Sequence, residues 1–158
     1  MQNPERSFTY ESWANRRVHE HLGSLENPPE RAFELLAHVL AGLAVWIARI
    51  QGQDSSGIAI WSACSLSNCE THLNAVDSAM SDVLHSLQDT PLDNEVRYTN
   101  QHGLSYATSI RDILFHLASH GAYHRGQISV TLRHSNLEPV NTDYITFVRE
   151  LAGQPWKS

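Results

Sequence analysis

His116, His120 and His124 recur at intervals of four in the stretch His116-Leu-Ala-Ser-His120-Gly-Ala-Tyr-His124-Arg-Gly-Gln127. Four residues advance a helix slightly past one turn, so each histidine sits about 40° from the one before, on a common side. Two of them occupy places that the apolar pattern reserves for the core. Ile110, Ile113, Leu117, His120, His124, Ile128 and Thr131 follow the three-four spacing of an inward-facing stripe. His124 lies near the centre of that stripe, while His116 falls about 80° from it, at the edge. Imidazoles turned into a core must be satisfied, because a buried polar group without a partner costs about 1–3 kcal/mol. Hydrogen-bond partners would satisfy them, and so would one metal ion held by both rings.

The elements that must position these rings are helices. Tyr10, Ala14, Val18 and Leu22 mark a first amphipathic helix over Phe8 to Leu22, with Glu11, Asn15, Arg16, Arg17 and Glu20 on its other faces. Trp13 and Arg17 adjoin its stripe as a packed indole and a snorkelling arginine. Asn27-Pro28-Pro29 makes a turn and launches a second helix, roughly Glu30 to Gln51, apolar around most of its circumference. Leu35, His38, Ala41, Gly42 and Val45 share one of its faces; Leu36, Leu40, Leu43 and Ile47 lie opposite. This helix is either central or part of a subunit interface. His38 taken alone reads as a core histidine with a hydrogen-bond partner. The small residues Ala37, Ala41 and Gly42 leave room for another helix to approach.

Gln53 to Leu66 is longer than the usual helix connection. It reads either as a partly ordered cover over a pocket or as loose packing against the bundle. Ser67-x-x-Glu70 has the pattern of a capping box, followed by a third helix with Cys69, Leu73, Val76, Met80, Val83, Leu84 and Leu87 inward and His72 and His85 outward. Val96-Arg-Tyr-Thr and Leu104-Ser-Tyr-Ala-Thr around Asn100-Gln-His-Gly103 predict a short hairpin with His102 exposed at its tip. Ser109-x-x-Asp112 caps the histidine helix, which ends before Pro139. Thr142 caps a short last helix over Asp143 to Ala152, closed by Gly153 and Pro155.

The expected fold is therefore all-α: a four-helix bundle with a hairpin-like connector between the third and fourth long helices and a short C-terminal helix. With 158 residues, 41% of them hydrophobic, a single domain over 1–158 accommodates the whole chain. A formal net charge of -6 disfavours nucleic acid and anionic lipid as partners. Cys64 and Cys69 match neither a redox pair nor a zinc-ligand spacing, and read as small reduced core residues. The polar start, Met1 to Ser7, carries no apolar signal core, so a cytoplasmic location is expected.

His120-x-x-x-His124-Arg125-Gly126-Gln127 resembles the signature of the DinB (damage-inducible) and YfiT-like bundle superfamily. Trp13-Ala14-Asn15, Leu36-Ala37-His38-Val39, Tyr98-Thr-Asn and Thr142-Asp143-Tyr144 agree with it in order, so the resemblance extends over nearly the whole chain. It implies a frequently dimeric four-helix bundle with a divalent metal held by His38, His120 and His124. Zinc or nickel is the usual occupant in relatives, and imidazole ligation also suits copper or iron. Three neutral imidazoles leave a coordination position open, as catalytic sites do, and an open metal lowers the pKa of a bound thiol or water. Some superfamily members are similar to thiol-S-transferases that use bacillithiol, mycothiol or glutathione. The resemblance thus implies a metal-dependent transferase or hydrolase-like enzyme acting on a small molecule. The rival from another class is a non-catalytic, stress-associated metal-binding bundle, and a third is a dimeric interaction module built on the second apolar face of the second helix.

Around the proposed ligands, His116 is expected to flank the site. Arg125 fits either a substrate carboxylate or an ion pair within the bundle. Gln127 fits either a ligand-orienting role or a bond to the hairpin. Gly126 is expected to permit close approach of another element. Ser119 cannot pair with His120 as a hydrolase nucleophile, because neighbouring helical side chains point about 100° apart.

Overall fold

Helix α2 (Glu30–Ile50) forms the middle of the protein: Leu35, Leu36, Leu40, Leu43 and Ile47 are all buried, on opposite faces. It packs against α3 (Leu66–Ser86) on one side and α4 (Ile110–His134) on the other, with α1 (Pro4–Ser24) completing the bundle. The computed structural model describes residues 4–154. The expected second apolar face of α2 is thus covered within the chain by α3, which removes the reason to place a subunit interface there. Alone among the described helices, α2 is long and apolar enough to cross a membrane, but 56% of that window is buried inside the bundle. Its hydropathy is that of a core helix.

Strands β1 (Glu95–Thr99) and β2 (Ser105–Ser109) form the expected antiparallel hairpin, with Val96 opposite Thr108 and Tyr98 opposite Tyr106. Gly103 at the turn has φ +76, which favours glycine because it has no Cβ. Val96 is buried and anchors the hairpin to the bundle. Ser109 ends β2 and caps α4, its Oγ accepting a hydrogen bond from the Asp112 amide at 3.1 Å.

Local signals misplaced three helix starts. α1 begins at Pro4 rather than Phe8. α3 is capped by Ser65, whose extended backbone lets its Oγ accept from the Asn68 amide at 3.3 Å; Ser67 already lies inside the helix. The last helix, α5 (Tyr144–Leu151), has Asp143 at its N-cap, without a side-chain cap bond. Thr142 is engaged otherwise, its carbonyl accepting from the Tyr10 hydroxyl at 2.9 Å. Asn141 Oδ1 serves the start of α5 by accepting from the Asp143 amide and the Thr146 hydroxyl. Pro155, expected to close this helix, lies outside the described residues. Phe147 packs α5 onto Tyr10 and Trp13, and Trp13 Nε1 donates to Glu150 at 2.9 Å. Cys69 is buried and Cys64 half-buried, both free thiols.

Candidate metal centre

Three pairs of residues fix how α2 and α4 meet. His38 faces His124 with ring centres 4.5 Å apart, Gly42 faces His120, and Trp46 faces His116 with ring centres 5.5 Å apart. Each step of four forward on α2 matches four backward on α4, so the helices run antiparallel. Gly42 makes the contact close: a Cβ there would stand 3.2 Å from His120 Cε1. The small face expected around Gly42 therefore does admit its neighbour.

His38, His120 and His124 each offer a ring nitrogen, and these nitrogens lie within 4.8 Å of one another. A tetrahedral ion joins two imidazole nitrogens across about 3.3 Å, so the rings reach a shared ion by drawing in by up to about 1.5 Å. The three residues that the sequence singled out thus form one cluster that could hold a divalent metal ion. His116 stays outside it, exposed, with its ring 5.4 Å from that of His120. Burial, reinforced by the neighbouring imidazoles His124, His38 and His116, pulls the His120 pKa down to about 4, and burial also lowers that of His38. Both rings are neutral at pH 7, as a metal ligand requires.

The nitrogens turned away from the cluster are held by the protein. His38 Nδ1 bonds to the Ile60 carbonyl at 3.0 Å, which fixes that nitrogen as the N–H donor. His124 Nδ1 lies 2.7 Å from Gln127 Oε1, and the amide oxygen accepts in the same way. Such partners set the tautomer so that Nε2 keeps its lone pair, the arrangement found around metal-ligating histidines. Gln127 therefore supports a ring of the cluster rather than bonding to the hairpin.

Residues of the α2–α3 connector complete the site. Trp61 stacks on His38 with ring centres 3.8 Å apart and planes 9° from parallel, while the Arg31 guanidinium sits 5.0 Å above the indole. The connector is thus a cover over the histidines and not loosely packed chain. Trp61 and Ile60 escaped sequence reasoning; the unusual length of the connector was their one visible signal.

Of the residues after His124, Arg125 takes the internal ion pair, one of its two expected roles, and Gly126 departs from expectation. Arg125 is buried and donates to both carboxylate oxygens of Glu11, each at 2.8 Å, to Asn15 Oδ1 at 2.9 Å and to the Tyr10 hydroxyl at 3.3 Å. It is therefore committed to an internal ion pair and has no substrate role. Glu11 and Asn15, expected on the outer faces of α1, are buried because Arg125 gives them partners. Gly126 does not mediate a close approach, since a Cβ there would meet nothing within 4 Å. Gly121 is the glycine that does: a Cβ there would fall 2.1 Å from Glu11 Oε2, so its bare backbone admits the carboxylate. Ser119 donates to the Phe115 carbonyl, and His72, His85 and His102 lie exposed.

A helical bundle with three imidazoles drawn together on two facing helices is of a class that could hold a metal ion in its core. The chain belongs to the DinB family, whose family model matches residues 1–155. It is 28% identical to the uncharacterized protein YizA of Bacillus subtilis, covering 78% of this chain and 74% of that protein. It is 23% identical to protein DinB of the same organism, covering 87% and 88%. A crystal structure of a DinB-like protein from Bacillus cereus aligns with a TM-score of 0.48 at 16% identity, over 87% of this chain and 94% of that one.

Proposed function

We propose that His38, His120 and His124 bind a divalent transition metal, zinc or nickel, and that the site activates a low-molecular-weight thiol for transfer to an electrophile. The observation that carries the metal reading is the locking of His38 and His124 through Nδ1 by Ile60 and Gln127. A core that merely tolerated histidines would have no need to aim their remaining lone pairs at one point. When bound, the ion would supply Lewis acidity that lowers the pKa of a thiol at its open position. The chain itself orients the imidazoles, keeps them neutral and covers one of them with Trp61. The thiol is drawn from the superfamily resemblance.

Elemental analysis of protein purified without a histidine tag tests the ligand set. About one metal per chain is expected in the wild type, falling at least 100-fold in affinity in His38→Ala and His124→Ala. Full stoichiometry in both variants rules out these ligands. A screen of small thiols against electrophiles tests the chemistry: turnover abolished by chelation and restored by metal supports it. Chelation that lowers thermal stability while no thiol gives turnover leaves the non-catalytic metal bundle instead.

A homodimer through α4 is a separate part of the proposal. Phe115, Tyr123 and Val130 form one outward ridge there and are 68%, 65% and 50% exposed. Light scattering giving the mass of one chain at micromolar concentration would overturn it.

A further inference from the structure

Arginines elsewhere in the molecule show by contrast what is unusual about Arg49. Six of those described pair with a carboxylate, and Arg6, Arg133 and Arg149 lie exposed in solvent. Arg49 is neither exposed nor paired with an acid; its buried Nε lacks a hydrogen-bond partner, a feature it shares with Arg125, but Arg125 has its terminal nitrogens taken by Glu11. Its guanidinium carbon sits 4.7 Å from the ring centre of Trp46 and 4.4 Å from that of Tyr98. Cation–π contacts of this kind hold a guanidinium in place without neutralising it. Burial accordingly holds its pKa below the usual arginine range, against a smaller opposing effect of Tyr98. A guanidinium held by aromatic rings rather than by an acid keeps N–H donors suited to a planar carboxylate or a phosphate.

Arg49 lies in the wall of a cavity of about 670 Å³, within the size range of small-molecule sites. Arg49, Arg97, Tyr98, Ser55, Ser56 and Asn100 line it, offering the unpaired charge of Arg49, an Arg97 that pairs with Glu95, and several hydroxyl and amide groups. The one carboxylate in its wall, Asp54, is already engaged by the Ser56 amide and hydroxyl, both at 2.8 Å. Ile60 also lines the cavity, and its carbonyl is the acceptor that fixes His38. On the other side Trp46 touches both Arg49 and His116, and His116 neighbours His120. Gly42, opposite His120, precedes Arg49 by seven residues of the same helix, about 10 Å along its axis. An extended chain of three residues spans about that distance.

We propose that the cavity at Arg49 binds the anionic end, a carboxylate or phosphate, of a small elongated ligand whose other end lies toward the three-histidine centre. The orientation of the far end rests on the functional proposal above; the anion site does not.

Calorimetric titration of tag-free wild type, Arg49→Gln and Arg49→Lys, each with and without zinc, tests it. The probes are succinate, inorganic phosphate, glutathione and S-methylglutathione. Wild type should bind succinate or phosphate without metal, and which of the two it prefers identifies the head group. Arg49→Gln should weaken that binding about 10- to 100-fold, with Arg49→Lys in between, while both retain wild-type zinc stoichiometry and melting temperature. Equal anion affinity in wild type and Arg49→Gln overturns the proposal, as does a wild type that binds neither anion at millimolar concentration. If Arg49→Gln fails to fold, Arg49→Lys with wild-type affinity for both anions overturns it equally. Glutathione binding that depends on Arg49 but not on zinc upholds the anion site and defeats the thiol-activation reading. Dependence on zinc but not on Arg49 does the reverse.

Discussion

Two clusters of polar side chains are packed into this bundle along α4, and they are finished differently. Arg125, Glu11, Asn15 and Tyr10 bond to one another: both carboxylate oxygens are taken, the pair is 1% and 2% exposed, and Arg125 Nε is the one polar atom of the group left buried without a partner. The histidine cluster is satisfied only from behind, where Ile60 and Gln127 hold two of the rings. Its inward nitrogens converge without a protein partner of opposite character. Closed polar networks serve the fold, whereas a network whose acceptors meet at one point is finished by something the chain does not supply.

Breaking the closed network should have the largest effect. Arg125→Met leaves the Glu11 carboxylate buried without its partner, in a place where burial already pushes its pKa up. The expected loss is about 3–5 kcal/mol in denaturant unfolding, and Glu11→Leu in the same chain should recover most of it. Metal content per folded chain should not change. If Arg125→Met lost metal in proportion to stability, the two clusters would be one.

Removing support from behind the histidines should cost less stability and show mainly in metal affinity. Gln127→Leu is expected to weaken metal binding about 10- to 100-fold and to lower metal-free stability by about 1 kcal/mol, since His124 Nδ1 loses its partner. Competition against a chromophoric chelator measures the first, and thermal melting the second.

Acidification separates the clusters by sign. His120 titrates near 4 in the fold against an ordinary 6.5, so between those values the unfolded chain binds more protons. The stability it contributes is complete above pH 6.5 and is lost progressively as pH falls toward 4. Melting temperatures of metal-free protein should therefore decline across that window, and added zinc should flatten the decline near its upper end, where metal still competes with protons. A flat metal-free profile would mean that His120 is as easily protonated in the fold as in water.

The smallest effect distinguishes two glycines of one helix. Gly126→Ala should be neutral or stabilise by up to about 1 kcal/mol, since a Cβ there meets nothing and alanine favours helix. Gly121→Ala, by contrast, must displace the Glu11 carboxylate and should resemble loss of the ion pair.

These glycines also mark where sequence reading stopped. The four long helices, the hairpin and the face carrying His38, His120 and His124 were legible because helical periodicity reports which side of an element faces inward. Periodicity says nothing about which partner a buried position meets. Glu11 looked like a solvent-facing charge because its counter-charge, Arg125, comes from the far end of the chain. Gly126 looked like the site of close approach, while Gly121, five residues earlier, has that role. The connector follows no period at all, so the contributions of Ile60 and Trp61 emerged only from the folded chain.

The stack of Trp61 on His38 makes the protein its own optical gauge. The indole is 52% exposed yet lies face to face with an imidazole of the candidate centre. An excited indole loses emission readily to an imidazole that has gained a proton, and to an open-shell ion such as nickel held beside it. A change of state at His38 should therefore alter the intrinsic fluorescence, with no label attached, and Trp61→Phe, which keeps the other three tryptophans, isolates the part that comes from this stack.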